Sequence, residues 1–387
     1  LILATPEEAQ TMRLGYCTNV HAGTSLAEVH EQLERHAPAI LEQLGVEVLP
    51  IGLWLPASAM RDVEAASLHA RLDALGLQTF TMNAFPLGDF HGDTVKDSVY
   101  TPDWTTLERM NYTMDTATLL ADLLEPGDTG GVSTLPLGWK PRMNNAAVNA
   151  ACEQLQQTVL ALAALEQRTG RTIHLDIEPE PGCTLGTLAE LADCFETKLL
   201  GRGQDELVRR HLRACVDLCH AAVMFEDLEP ALARFDDLGL HIGKVQVSNA
   251  IEFDFDAIDP SQRSLAIDAL SSFDEPRWMH QTTIRRGNAV RLFNDLGEAL
   301  QQDPGGCWRT HFHVPVHAGT LGVLGTTQQR LEQDIELLMN RTEVVDWEVE
   351  TYAWDALPAE QRSAALSESI ANELQWTQER LDAGANP

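Results

Sequence analysis

Short apolar runs alternate with longer amphipathic stretches along almost the whole chain. The runs are LGYCTNVH from Leu14, VEVLPIGLWLP from Val46, LQTFTMNAFP from Leu77, GVSTLPLGW from Gly131 and IHLDIEPEPG from Ile173. They continue with LRACVDLCHAAVMFED from Leu212, IGKVQVSNA from Ile242, THFHVPVH from Thr310 and WEVETYAW from Trp347. Runs of this length bounded by turn residues predict strands. The stretches between them repeat at helical spacing. Ser25 and Glu28 have the spacing of a capping box, in which each side chain satisfies an orphan backbone N–H. Leu26, Val29, Leu33, Ile40, Leu41 and Leu44 follow on one face, and Gly45 stops the pattern. Met60 to Leu75, closed by Gly76, behaves likewise. Further helices are predicted over Asn145–Arg168, Leu185–Leu200, Asp227–Leu238, Ser261–Phe273, Asn288–Gln301, Thr326–Met339 and Ala359–Leu381.

Strand followed by helix, many times over, implies parallel pairing with the helices outside, and eight such units close a (β/α)8 TIM barrel. Nine candidate strands are one too many. The stretch from about 251 to 306 is also too long for one connection, so the chain is expected to be a single TIM-barrel domain over 1–387 with an insertion near the last strands.

Charge narrows the partners. With 27 Lys+Arg against 58 Asp+Glu the formal net charge is −31. Binding to extended nucleic acid needs clustered cations to displace phosphate counterions, and the densest basic group here is Arg209, Arg210 and Arg213 on one predicted helix. No nucleic-acid partner is expected. No apolar run reaches the roughly 18 residues of a spanning helix, so no membrane insertion is expected. The opening LILATPEEAQ lacks a basic flank and does not read as a secretory leader; beginning at Leu1 rather than Met, the chain is read as starting downstream of its true start. Seven cysteines, an odd number without a CxxC pair, suggest free buried thiols in a reducing compartment, the cytoplasm, and no zinc–thiolate site.

The candidate chemistry lies at the strand ends. Asp176, Glu178 and Glu180 alternate; Asp217 and His220 close the next run; Gln246, Ser248 and Asn249 follow; then come His280, Arg285 and Arg286, His311, His313 and His317, and Glu348 and Glu350. In a barrel the C-terminal strand ends converge on one mouth, so these residues come close despite their separation in sequence. Carboxylates with one or two imidazoles suit a divalent ion such as Mn, Mg, Zn or Co. Of the histidine pair, His313 is expected to face the mouth and His311 to pack outward. Trp54, Trp139 and Trp354 lie near strand ends and could floor a pocket.

The segments LDIEPEPG, VDLCHAAVMFED, KVQVSNA and VETYAW resemble the xylose-isomerase-like barrel superfamily of sugar isomerases, ketose epimerases and endonuclease-IV-type enzymes. More closely, LGYCTNVH, IEPEPG, HQTTIRR, HFHVPVH and VETYAWDALP resemble the EboE-type metabolite traffic proteins of bacterial gene clusters, over nearly the whole chain. The superfamily resemblance implies a divalent-metal centre with Glu178 as the first ligand, Asp217 on the metal, His220 toward substrate and Glu350 as the last ligand. It also implies a ligating histidine where this chain has Gln246; His280 or His313 could replace it. The implied function is a metal-dependent isomerase or epimerase for a small sugar, polyol or related hydroxy-carbonyl compound. Proton abstraction next to the carbonyl would pass through Glu178 and Glu350, with His220 and Arg285 positioning the substrate. Two alternatives follow from the same resemblances. One is a non-catalytic carrier of a metabolite precursor, with partner proteins from the same gene cluster; the other is an endonuclease-IV-like phosphodiesterase, which the charge opposes.

Overall fold

The computed structural model describes residues 12–341, 344–358, 362 and 365–385. The opening LILATPEEAQ lies outside the described residues, as does part of the start of the last predicted helix, whose described portion is Leu366–Ala385. Eight parallel strands close a barrel: β1 (Arg13–Cys17), β2 (Leu49–Trp54), β3 (Leu77–Asn83), β4 (Thr129–Thr134), β5 (Thr172–Ile177), β6 (Leu212–Asp217), β7 (Ile242–Val247) and, after a long excursion, β14 (Asp346–Val349). The last strand sits between β7 and β1 and pairs in parallel with both.

The excursion is a second, antiparallel sheet: β8 (Asn249–Asp254), β9 (Thr282–Arg286), β10 (Ala289–Phe293), β11 (Cys307–Val314), β12 (Thr320–Leu321) and β13 (Leu324–Thr326). It begins two residues after β7 and runs past the boundaries read from the sequence. The ninth candidate strand, THFHVPVH, falls in β11, where it pairs antiparallel with β8 and β9. WEVETYAW supplies the strand that closes the barrel.

Helix boundaries follow the local chemistry. The helix Leu26–Leu44 carries the complete capping box of Ser25 and Glu28, and ends on Gly45 in the left-handed region at φ 65°. Several elements departed from expectation. Leu218–Val223 is a helix not predicted, and the helix Asp205–His211 carries Arg209 and Arg210 without Arg213, which lies on β6. Asn288–Gln301 is not one helix. Gly287 and Asn288 are instead the two-residue turn of the β9–β10 hairpin, with Gly287 at φ 57°, and only Leu296–Ala299 is helical. A helix not predicted, Leu107–Leu123, connects β3 to β4. Its inward face carries Arg109, Tyr112, Thr113 and Thr116, so its apolar period is weak. The buried Arg109 guanidinium donates through Nε to the Pro102 carbonyl and through Nη1 to those of Ala84 and Phe85, and its Nη2 is buried without a partner.

Leu, Ile, Val and Trp side chains on the outer faces of the barrel strands pack against the helices and form the main core. A second core, rich in Phe and Trp, holds the inserted sheet against the barrel mouth. The barrel interior differs from the Val/Ile/Leu filling usual for this architecture. His174, Asp176 and Glu178 alternate into it from β5 and its end, and Asp346, Glu348 and Glu350 from β14 and its end. All six are buried. Glycines make the room: a Cβ on Gly52 would collide with the Glu348 carboxylate, and one on Gly243 with that of Asp176. Gly52→Ala is therefore expected to destabilise the fold by about 1–3 kcal/mol through overpacking. Chemical denaturation checks this, and an unchanged midpoint would show that the interior acid is free to move aside.

Candidate metal centre at the barrel mouth

Three strands deliver acids to one place. Glu178 follows β5, Asp217 ends β6 and Glu350 follows β14, and a carboxylate oxygen from each lies within 4.8 Å of the other two. Gln246 sits on β7 beside Asp217 and Glu348. It is buried, and neither end of its amide has a hydrogen-bond partner. Asp217 has a divided role. Its Oδ1 caps the helix Leu218–Val223 by accepting from the His220 N–H at 2.9 Å, and also accepts from Ser248 Oγ at 2.7 Å. Its Oδ2 is buried without a partner and faces His313 Nε2 at 3.8 Å.

His313 reaches the mouth from β11. Its Nδ1 lies 2.8 Å from the Glu350 carbonyl, which can only accept, so Nδ1 carries the proton and Nε2 presents a lone pair. That Nε2 has no partner. Burial lowers its pKa to about 4, against the opposing pull of Asp217, so the ring stays neutral. A neutral imidazole oriented through its other nitrogen is the arrangement of a metal ligand.

Burial, then the charges of Glu350 and Asp217, hold the Glu178 carboxyl well above the usual range. Burial, then Asp217 and Glu348, does the same to Glu350. Asp217 is the exception: burial would raise it, but His220, His313 and its hydrogen bonds hold it low. Three acids in this space cannot all ionise without a cation. Glu178 Oε2, Asp217 Oδ2 and His313 Nε2, all buried and unpartnered, are the donor set a divalent ion would satisfy. Glu350 completes it, one oxygen held by Asn19 Nδ2 at 2.6 Å. The residues fit such an ion.

A second cluster adjoins the first. His220 Nδ1 is 2.9 Å from the Pro179 carbonyl, and His311 Nδ1 is 2.8 Å from Gln281 Oε1, whose amide is oriented by donation to the Pro181 carbonyl. Both rings therefore turn Nε2 lone pairs toward each other across 3.2 Å, with Glu180 Oε2 at 3.0 Å from His220 Nε2. That gap takes a proton or a cation.

Several expected residues lie elsewhere. His280 is buried, but both its nitrogens are engaged, Nδ1 with the His311 carbonyl at 2.9 Å and Nε2 with Glu275 at 2.8 Å. It is a strut between β9 and β11, so of the two histidines proposed to replace the missing one, only His313 faces the acids. Arg285 does not line the cavity. The hairpin carries the end of β9 outward, where the exposed guanidinium lies 4.3 Å over Phe225. His311 does not pack outward, because residues two apart on a strand share a face, and its ring is 5.2 Å from that of His313. Trp54, Trp139 and Trp354 are not in the cavity wall, which is made by Phe90, Trp278 and Tyr352.

The sequence reading missed Lys244. This fully buried side chain on β7 lies beneath the acids, with Nζ 2.6 Å from Glu348 Oε2 and 3.1 Å from Ser133 Oγ. A lone lysine in an otherwise apolar strand is the signal that could have found it.

No protein-family model and no curated protein matches the chain. Solved structures do. An L-ribulose 3-epimerase superposes with a TM-score of 0.51 over 97% of this chain and 96% of its own, at 13% identity. An IOLI protein with a binding zinc atom gives 0.51 over 96% and 98%, at 12% identity. What these structures share with the chain is the fold, a (β/α)8 barrel. At this identity the likeness shows the fold alone.

Lys244→Met would leave Glu348 buried without its cation and is expected to cost about 3–5 kcal/mol. Adding Glu348→Gln should recover part of the loss in denaturant titrations; a single substitution without effect would contradict the ion pair's role.

Proposed function

We propose that the chain is a divalent-metal-dependent isomerase or epimerase acting on a small hydroxy-carbonyl compound at the barrel mouth. The observation that carries this reading is the set of buried, unpartnered atoms Glu178 Oε2, Asp217 Oδ2 and His313 Nε2 beside Glu350. Glu178, Asp217, His313 and Glu350 would hold the ion, with Gln246 beside them. When bound, the ion supplies Lewis-acid polarisation of a carbonyl and neutralises the acids around it. The chain's own residues do the rest. Glu178 and Glu350, whose carboxyls burial and neighbouring acids raise well above the usual range, would take a proton from the carbon next to the carbonyl and return it. His220 and His311 orient the substrate oxygens through Nε2, their rings fixed from behind through Nδ1. The inserted region and the segment after β3 line the cavity and would shield the abstracted proton from bulk water when substrate fills it.

Membership of the EboE-type group is part of this proposal and rests on the quoted motifs. The carrier alternative rests on the EboE-type resemblance and on Gln246 standing where the superfamily resemblance implies a ligating histidine. Placement in a bacterial cytoplasm rests on the seven free cysteines, six of them buried. Among the described residues no helix is long and apolar enough to cross a membrane.

Elemental analysis of the purified protein tests the reading. The expected result is a divalent metal near one equivalent or more per chain, lost in Glu178→Gln and Asp217→Asn while circular dichroism stays unchanged. His313→Gln should weaken metal binding at least about tenfold, and His280→Gln should leave it unaltered. Protein that neither holds nor takes up a divalent metal, yet binds a hydroxy-carbonyl metabolite, would favour the carrier.

A further inference from the structure

Away from the carboxylates the cavity changes character. Its outer wall is made by Phe85, Phe90 and Val99 from the segment after β3, by Trp278 and Met279 from the inserted region, and by Tyr352 after β14. The rings of Phe90, Trp278 and Tyr352 form a triangle with centroids 5.5, 5.1 and 5.2 Å apart. The wall's polar atoms are already engaged. Trp278 Nε1 donates to the Phe90 carbonyl at 2.9 Å, and Tyr352 Oη lies 3.4 Å from His311 Nε2. Backbone N–H groups of Val95 and Lys96 donate to the Arg277 carbonyl at 2.7 and 2.8 Å, which pins the two halves of the wall together.

Charge sets a second limit. Among the described residues that line the cavity, Lys96 is the only lysine or arginine. Its Nζ is 2.7 Å from Asp295 Oδ2 and 3.2 Å from the Glu275 carbonyl, so its charge is already matched. Glu178, Glu180 and Glu350 line the same space. A phosphate or carboxylate on the body of the ligand would meet these acids without a lysine or arginine free to receive it. A five- or six-carbon polyol would set its far hydroxyls against aromatic faces and aliphatic side chains, and each hydroxyl left unpaired there costs affinity.

We infer that the cavity takes an uncharged α-hydroxy-carbonyl compound whose body beyond the reacting carbons is apolar, an aryl or branched alkyl group, rather than a sugar phosphate or an extended polyol. The polar end of this ligand rests on the function proposed above; the apolar end rests on the wall alone.

Three probes that share one hydroxyketone end separate the classes: 2-hydroxyacetophenone, dihydroxyacetone and dihydroxyacetone phosphate, titrated calorimetrically into the protein as purified. The expected order places 2-hydroxyacetophenone at least about tenfold tighter than dihydroxyacetone, with the phosphate no tighter than dihydroxyacetone. Phe90→Leu, which keeps the wall apolar but removes a ring face, should narrow the aryl preference at unchanged metal content. Equal or weaker binding of 2-hydroxyacetophenone, no binding of any probe, or preference for the phosphate overturns the inference. The two readings fail separately. Aryl preference in a protein that cannot hold metal would sink the metal-dependent reading and leave this one. A metal-bound protein preferring dihydroxyacetone or its phosphate would do the reverse.

Discussion

Lys244 and Glu348 meet at 2.6 Å inside the barrel, and the arrangement above and below them depends on that contact. A barrel lined with acids from β5 and β14 would repel itself apart without a buried cation to offset them. Lys244 supplies it from β7, between β6 and β14, where it reaches Glu348 and also opposes the upward pKa shifts of Glu178 and Glu350. Below it, Asp176 Oδ1 lies 2.6 Å from His174 Nδ1; at the barrel floor Asp346 accepts from Arg13 at 2.6 Å. The interior is thus a column of buried polar and charged groups, and glycines at 52 and 243 give it width. At the top the pairing runs out. Among the described residues no lysine or arginine forms an ion pair with Glu178, Asp217 or Glu350, and the histidines of the inserted sheet stand where a cation would complete the column.

The insertion is therefore part of the site. A strand of a parallel barrel offers one residue at its C-terminal end, whereas β11 crosses the mouth and offers two, His311 and His313. Each is locked by an Nδ1 hydrogen bond to an oxygen, which fixes its tautomer before any ligand arrives. His280, first in this group by sequence, bonds the crossing strand through Nδ1 at the His311 carbonyl and Glu275 through Nε2, so it has no nitrogen left for the acids at the mouth.

Much of this was legible in the sequence, for reasons that can be named. Alternation of strand and helix is a local pattern, so the barrel, the Ser25–Glu28 capping box and the glycine stops could be read directly. Acids two apart, such as Glu348 and Glu350, share a face by strand geometry, so their convergence at a barrel mouth followed once the barrel was assumed. What failed depended on pairing partners far along the chain. Nothing within THFHVPVH distinguishes an antiparallel crossing strand from a closing parallel one, and nothing within TTIRR says that a hairpin carries Arg285 away. The Gly287-Asn288 turn was a readable signal outweighed by the apolar spacing around it. Lys244 was hidden by its setting in an apolar run, because its partner lies 104 residues away.

Crystals diffracted at the absorption edges of Mn, Fe, Co and Zn would test the central claim most directly, because anomalous scattering locates an ion independently of activity. The account predicts a peak at the barrel mouth with oxygen or nitrogen atoms of Glu178, Asp217, His313 and Glu350 at about 2.0–2.6 Å. An ordered mouth with no peak after soaking in these ions, or a peak bound by other residues while Asp217 Oδ2 and His313 Nε2 stay unpartnered, would contradict it.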